Sequence, residues 1–418
     1  MLKSSFLAFA IVLLASATAS AGESQINVNA VGRQRAPVAL LEQDGTARVI
    51  WENTQLGILS RVVPAGDPAT ASTEETLLLK NSHLASIPGE GVVTTHRQPL
   101  ALSDGAGGFW LFWTRQRDHL KAAPFWESRE VLSQEIRLRR FDRDGKPVGA
   151  ERIVAWAGKT RSQATAIHTP DGGFVVAWTN SDDDATTFSR DGIFARWFDR
   201  EGTPIGPSTR VSAVEDAELA SWPSLAVDTK GRLLIVWHAP DGSSTGIFAR
   251  MFDTNRVAVD APQRLNLNPV GEQKRPGVVA VGNGGYLVLW QGPRTNCLLS
   301  RVYLQTVDAA GRPAGVEREI TSGRLAHEMG PAISPTPRGT YFATWVVWDG
   351  SFPREIRGVE LSADGTRIGE ELQLNSSPLN TQYRATLFGS PATGLFAIWE
   401  GFLNKRAGIN GLPLDFLD

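Results

Sequence analysis

The chain has 418 residues, 21% charged and 42% hydrophobic, a globular balance that excludes a disordered protein. Its 42 basic and 44 acidic residues give a formal charge of −2, without the basic excess that nucleic acid or an anionic membrane surface calls for. A single cysteine, Cys297, excludes an intramolecular disulfide framework, so Cys297 reads as a small buried hydrophobe and stability must come from a large core.

The chain opens on Met1-Leu2-Lys3, an apolar run from Phe6 to Ala15, and the small-residue site Ala19-Ser20-Ala21. That pattern is a secretory signal peptide over residues 1–21, so the mature chain is expected to be secreted or periplasmic. Its loss removes Lys3 and no acid, leaving 41 basic and 44 acidic residues and a charge of −3. No later apolar run approaches the roughly 18 residues that span a bilayer, so no membrane anchor is expected.

Residues 22–418 form one repeat array. Trp51, Trp113, Trp178, Trp237, Trp290, Trp345 and Trp399 follow one another at intervals of 62, 65, 59, 53, 55 and 54 residues. Fourteen positions before them stand Pro37, Pro99, Ala164, Pro223, Pro276, Pro331 and Ala385, five prolines in seven where usage predicts about one in twenty. Six positions before them stand Gly45, Gly107, Gly172, Gly231, Gly284 and Gly339, with Thr393 in the seventh unit. Each unit reads as an apolar strand a, a glycine turn, and a strand b ending on the tryptophan, as in PSLAV (223–227), KGR and LLIVW. A strand c follows, such as GIFARWFD (192–199) or GIFARMFD (246–253), then a turn such as REGTPIG and a short strand d. Four strands in each of seven units predict an all-β, seven-bladed propeller. The last unit lacks a strand d. The N-terminal INVN (26–29) matches LNLN (265–268), so residues 25–30 are expected to complete blade 7 and close the ring.

GGFVVAW (172–178), GIFARWFD (192–199) and the G-x-P-x-G turn at 202–206 resemble a repeat found in secreted bacterial β-propeller proteins. The resemblance covers essentially the mature chain. It implies a fold and a compartment and no reaction.

The repeated residues read as structural. The seven tryptophans are expected to pack between blades, and Arg196 and Arg250 on packed faces to bind a carboxylate or backbone carbonyls. Function is expected on the top face, where the b–c and d–a connections meet. There the segment 114–134 reads as a long b–c loop carrying His119 and Trp126, shaped as a lid. Arg35, Arg97, Arg161, Lys274 and Tyr383, from the d–a connections, are expected to ring the central mouth and suit an anionic small molecule or glycan. Arg35-Ala36-Pro37 and Arg97-Gln98-Pro99 are similar to the Arg-before-Pro feature of sialidases, with Tyr383 and Glu218 or Glu328 as a Tyr–Glu pair. The S-x-D-x-G-x-T-W turns of those enzymes are absent between strands c and d. Asp182, Asp183, Asp184 and Asp191 supply oxygen ligands suited to Ca²⁺, without EF-hand spacing. GSSTG (242–246) lies in a b–c loop rather than a strand-to-helix elbow, and His327-Glu328 lacks the second histidine of a zinc motif. The first expectation is a monomeric binding protein, the alternatives a sialidase-like glycoside hydrolase and a protein-interaction scaffold.

Overall fold

The computed structural model describes residues 24–28, 31–42, 44, 46–64, 74–82, 90–122, 127–156, 163–179, 192–213, 220–282, 284–294, 299–322, 325–350, 354–375, 383–390, 394–403 and 406–414. These form seven four-stranded antiparallel sheets, with no helix among the described residues. Blades 1 to 6 span Gln34–Lys80, Glu90–Trp156, Ala164–Arg210, Ser221–Arg264, Lys274–Glu319 and His327–Gln373, each in the order a-b-c-d. Blade 7 takes its first three strands from Tyr383–Leu414 and its fourth from the N-terminal Ser24–Gln25. Ser24 pairs with Gly411 and Gln25 with Asn410. Asn27 Oδ1 then accepts the Ile409 N–H at 2.7 Å, as Asn266 does for Ile247 in blade 4 and Asn375 for Ile356 in blade 6. The closing strand thus repeats the same bond across the chain ends. The expected leader, residues 1–21, lies outside the described residues.

Burial follows the seven blade interfaces. Seven hydrophobic clusters each mix residues of two adjacent blades, and each ruler tryptophan sits in the cluster shared with the preceding blade. All seven are essentially inaccessible to solvent. Trp51 Nε1 donates to Gln34 at 2.8 Å and Trp290 Nε1 to Gln273 at 2.9 Å. The strand c arginines bind carbonyls, as expected. Arg196 donates to Gly206 O in its own blade at 3.2 Å and to Val154 O in the preceding one at 3.3 Å. Arg250 repeats this with Asp260 O at 3.0 Å and with Arg210 O and Val211 O at 3.2 Å. Arg61 does it across the closure, donating to Ile26 O. A five-donor fork suits such bridging better than a single ammonium.

The ring prolines mark a bulge. In blades 1, 2, 4, 5 and 6 two residues of strand a oppose the one tryptophan, between Arg35 and Val38, Arg97 and Leu100, Ser221 and Ser224, Lys274 and Gly277, and Met329 and Ala332. The second bulge residue is the proline, whose missing N–H is tolerated where pairing is interrupted. The first is left-handed: Ala36, Gln98, Trp222 and Arg275 at φ 47°, 51°, 60° and 55°, and Gly330 at 60°. Blades 3 and 7 have alanine in place of proline, and there Ala164 and Ala385 pair directly with Trp178 and Trp399.

One expectation is overturned. The segment 114–134 is not a loop folded over the top. In blade 2, strand a runs Glu90–Ser103, strand b Phe109–Ala122 and strand c Glu127–Phe141. The three strands pair past the tryptophan up to Glu90↔Lys121 and Ala122↔Glu127, forming a tongue. One face of the tongue buries a polar stack in which Gln134 Nε2 donates to Gln116 at 3.0 Å and Gln116 Nε2 to Asp118 at 2.6 Å. Basic residues alternate with others in TRQRDHLKA, at Arg115, Arg117, His119 and Lys121, which is a strand pattern.

Candidate functional site: the top-face mouth

The upper ends of the innermost strands surround the mouth, and the bulges fix what they present there. Each left-handed residue points its N–H at an acceptor of the preceding blade. Ala36 N–H donates to Glu400 at 2.7 Å, Gln98 N–H to Glu52 at 3.2 Å and Trp222 N–H to Gln163 at 3.1 Å. Arg275 N–H donates to His238 Nδ1 at 3.4 Å and Gly330 N–H to Gln291 at 3.2 Å. Glu52, His238, Gln291 and Glu400 all directly follow a ruler tryptophan. These latches hold an otherwise unfavourable backbone in place.

Arg35 and Arg97 share one corner. Both act on the Glu52 carboxyl, which is 6% exposed. Burial raises Glu52 above the ordinary carboxylate range; the Gln98 N–H, Arg97 and Arg35 oppose that shift, and Glu400 adds to it. Arg35 itself is exposed, and its guanidinium makes no hydrogen bond or ion pair among the described residues. Lys274 does not join this corner as an open cation: it pairs with Glu272 at 2.7 Å. His119 stands up the tongue, above the rim, opposite Val92 and Glu130. Arg161, Trp126 and the side chain of Tyr383 lie outside the described residues, as do Asp182, Asp183, Asp184 and Asp191. Among the described residues no cluster of three or more His, Cys, Asp or Glu is placed to hold a metal ion.

Of the two glutamates expected to partner Tyr383, the structure places one. Glu328 is fully buried between blades 5 and 6 beside Arg301, and Glu218 lies outside the described residues. The cross-strand partner of Tyr383 is Glu400.

Across the mouth, Ser221 Oγ lies 3.0 Å from His238 Nε2. This is not a nucleophile with its base. Burial, then Lys274 and Arg275, push His238 down to about 4, so the ring is neutral at pH 7. Its Nδ1 accepts the Arg275 N–H, which leaves the proton on Nε2 to donate to Ser221. Next to this pair the Arg275 guanidinium lies 5.0 Å over the Trp222 ring. Arg275 was expected among the cations near the mouth; Trp222, Glu52 and Glu400 were not singled out from the sequence, although they occupy two fixed offsets from the same ruler, one before the proline and one after the tryptophan.

A cleft of about 670 Å³ on the opposite face is lined by Asp104, Arg140, Asp142 and Arg143. Its acids are consumed by turn structure: Asp104 Oδ1 accepts the Ala106 and Gly108 N–H groups at 2.8 Å, and Oδ2 pairs with Arg140 at 2.6 Å.

No protein-family model and no curated protein matches the chain. Solved structures do. A protein of unknown function from Dyadobacter fermentans superposes with a TM-score of 0.51 at 11% identity, over 93% of this chain and 96% of that one. The NanB sialidase of Streptococcus pneumoniae gives 0.47 at 8% identity, over 94% and 70%. The α-L-arabinanase of Penicillium chrysogenum gives 0.45 at 14%, over 73% and 91%. At these identities the likeness is one of fold.

Proposed function

We propose that the mature chain is exported and captures an acidic glycan in the top-face mouth, its carboxylate held in the Arg35–Arg97 corner. The observation that carries this reading is Arg35, an exposed cation at the mouth that makes no hydrogen bond or ion pair among the described residues, set beside a second arginine. The two nearby acids do not cancel it. Glu52 and Glu400 are both committed to main-chain N–H groups of the next blade, and burial biases Glu52 toward its neutral form. A guanidinium pair then meets a carboxylate with charge-assisted bonds. Calorimetric titration with uronate oligosaccharides and their neutral counterparts tests this. The acidic ligands bind, salt weakens them, and Arg35→Ala costs tenfold or more, about 1.4 kcal/mol. Equal binding of neutral ligands, or an unaffected R35A, overturns the reading.

A glycoside hydrolase is the second reading, favoured by one observation. Glu52 and Glu400 flank the same corner, one with a raised pKa suited to a general acid. Product release from the same saccharides, lost in Glu52→Gln, would select it. The scaffold reading has no comparable support: exposed hydrophobics such as Val148, Val316, Ile368 and Leu372 sit on outer strands spread over three blades.

A further inference from the structure

Among the described residues the mouth is walled on one side and open on the other. In blade 2 the innermost strand does not stop at the rim. Glu90–Arg97 continues past it, paired to 114–121, which pairs in turn with the upper part of strand c. Eight strand residues rise about 25 Å. The base is pinned to blade 1: Ser82 N–H donates to Thr94 O at 2.9 Å, Thr94 N–H to Ser82 Oγ at 2.7 Å and His96 N–H to Asn81 Oδ1 at 2.8 Å. Arg115 pairs with Glu135 at 2.7 Å across the lower tongue, so the wall is braced where it meets the rim.

Among the described residues blades 4, 5 and 6 carry no such extension; their innermost strands begin at Ser221, Lys274 and His327. What the rim presents there is the Trp222–Arg275 platform. A Cβ on Gly330, the corresponding bulge residue of blade 6, would lie 3.7 Å from Arg275 Nη1. The bulge side chains of blades 4, 5 and 6 therefore follow one another around the axis. Gly330 shows that glycine serves this bulge. Blades 4 and 5 instead hold a tryptophan and an arginine left-handed, at a cost of about 1–2 kcal/mol each. The strain yields a half-buried indole with an exposed guanidinium stacked on it. Such a surface offers a flat face to a sugar ring and in-plane N–H groups to its hydroxyls. The Arg35–Arg97 corner and this platform lie three steps apart on a ring of seven, across the axis from each other.

We propose that the ligand enters as a chain end: its terminal acidic unit sits in the Arg35–Arg97 corner against the tongue, and the units behind it cross the mouth onto the Trp222–Arg275 platform. The rest of the chain leaves over blades 4 to 6. A polymer with acidic units only in its interior would have to run through the tongue. This arrangement rests on the acidic-glycan reading above and adds a direction to it.

The test uses three probes: glucuronic acid, a trisaccharide with glucuronate at its non-reducing end, and a polymer carrying glucuronate only within the chain. On the wild-type protein the trisaccharide binds at least tenfold tighter than the polymer. Trp222→Ala and Arg275→Ala each reduce the trisaccharide toward the affinity of the monosaccharide and leave the monosaccharide within twofold. Arg35→Ala weakens both tenfold or more. Replacing residues 117–133 by a two-residue turn raises polymer affinity; because that change also removes buried Asp118, the point variants decide alone if it does not fold. Polymer binding as tight as trisaccharide binding, or W222A weakening both saccharides equally, overturns the chain-end arrangement and leaves the arginine corner standing. Failure of both acidic saccharides to bind overturns the corner and this arrangement with it.

Discussion

Glu328→Gln is expected to stabilise the protein above neutral pH and to do little in acid. Glu328 is fully buried at the position where blades 1 and 5 place Gln34 and Gln273, the acceptors for their tryptophan indoles. In blade 6 the Trp345 Nε1 has no hydrogen-bond partner among the described residues. Arg301 stands 3.5 Å from Glu328 but is shared with Glu319 and the Ala326 carbonyl. Burial is the main cause that pushes the Glu328 carboxyl up from 4.5 to about 7; a Thr321 hydrogen bond and then Arg301 oppose it, and Glu371 and Glu319 reinforce it. Below pH 4.5 the group is protonated in both the folded and unfolded chain. As pH rises through 4.5 to 7 the unfolded chain releases this proton first, so folding loses stability, by about 3 kcal/mol once pH exceeds 7. At roughly 2 cal/mol/K per residue of unfolding entropy, that is about 3–4 °C in a domain of this size. Differential scanning calorimetry of both proteins at pH 5 and pH 8 measures it. The amide is close in shape to the protonated acid, so the two should melt within about 1 °C at pH 5, with the variant ahead by about 3 °C at pH 8. A variant that melts below wild type at pH 8 would refute the reasoning, because the Glu328–Arg301 attraction would then outweigh the cost of burying the carboxylate.

Deleting residues 25–30 should lower the melting temperature sharply, since it removes fully buried Ile26 and the carbonyl that Arg61 binds; an unchanged melt would sink the closure. The milder Asn27→Ala leaves the Ile409 N–H unpaired inside the protein and should cost about 1–3 kcal/mol by denaturant titration. Ala36→Gly should stabilise slightly, because glycine relieves about 1–2 kcal/mol of left-handed strain and gives back about 0.5–1 in chain entropy; a loss of stability would show that the φ of 47° carries no strain.

The fold was legible because a propeller writes its core seven times. A tryptophan that must fill the space between two blades and a glycine that must turn at positive φ, as Gly172 and Gly231 do at 83°, recur at fixed offsets whatever the rest of the blade does. The closing strand was legible for the same reason: INVN carries the asparagine with which the outer strands of blades 4 and 6 also finish their neighbours. The tongue was missed because the expected strand length came from the other blades, so residues beyond Trp113 were read as a gap between copies rather than by their own alternation.

The mouth was half legible. Arg35 and Arg97 were found as charges near a proline. What the proline does, taking the second place of a bulge, emerges only from the register. Without the bulge the residue before each proline looks like an ordinary strand position, and Trp222 and Arg275 look like two more buried or solvated side chains. With it, the residue before the proline in blades 1, 2, 4, 5 and 6 becomes a place where the backbone is strained, latched to the preceding blade and aimed around the axis. The copies agree on the latch and differ in what it holds out: Ala36, Gln98, Trp222, Arg275 and Gly330. Agreement among copies marks what the ring needs to stand. At the bulge the shared backbone therefore belongs to the fold, and the side chains that change from blade to blade are the part free to recognise a ligand.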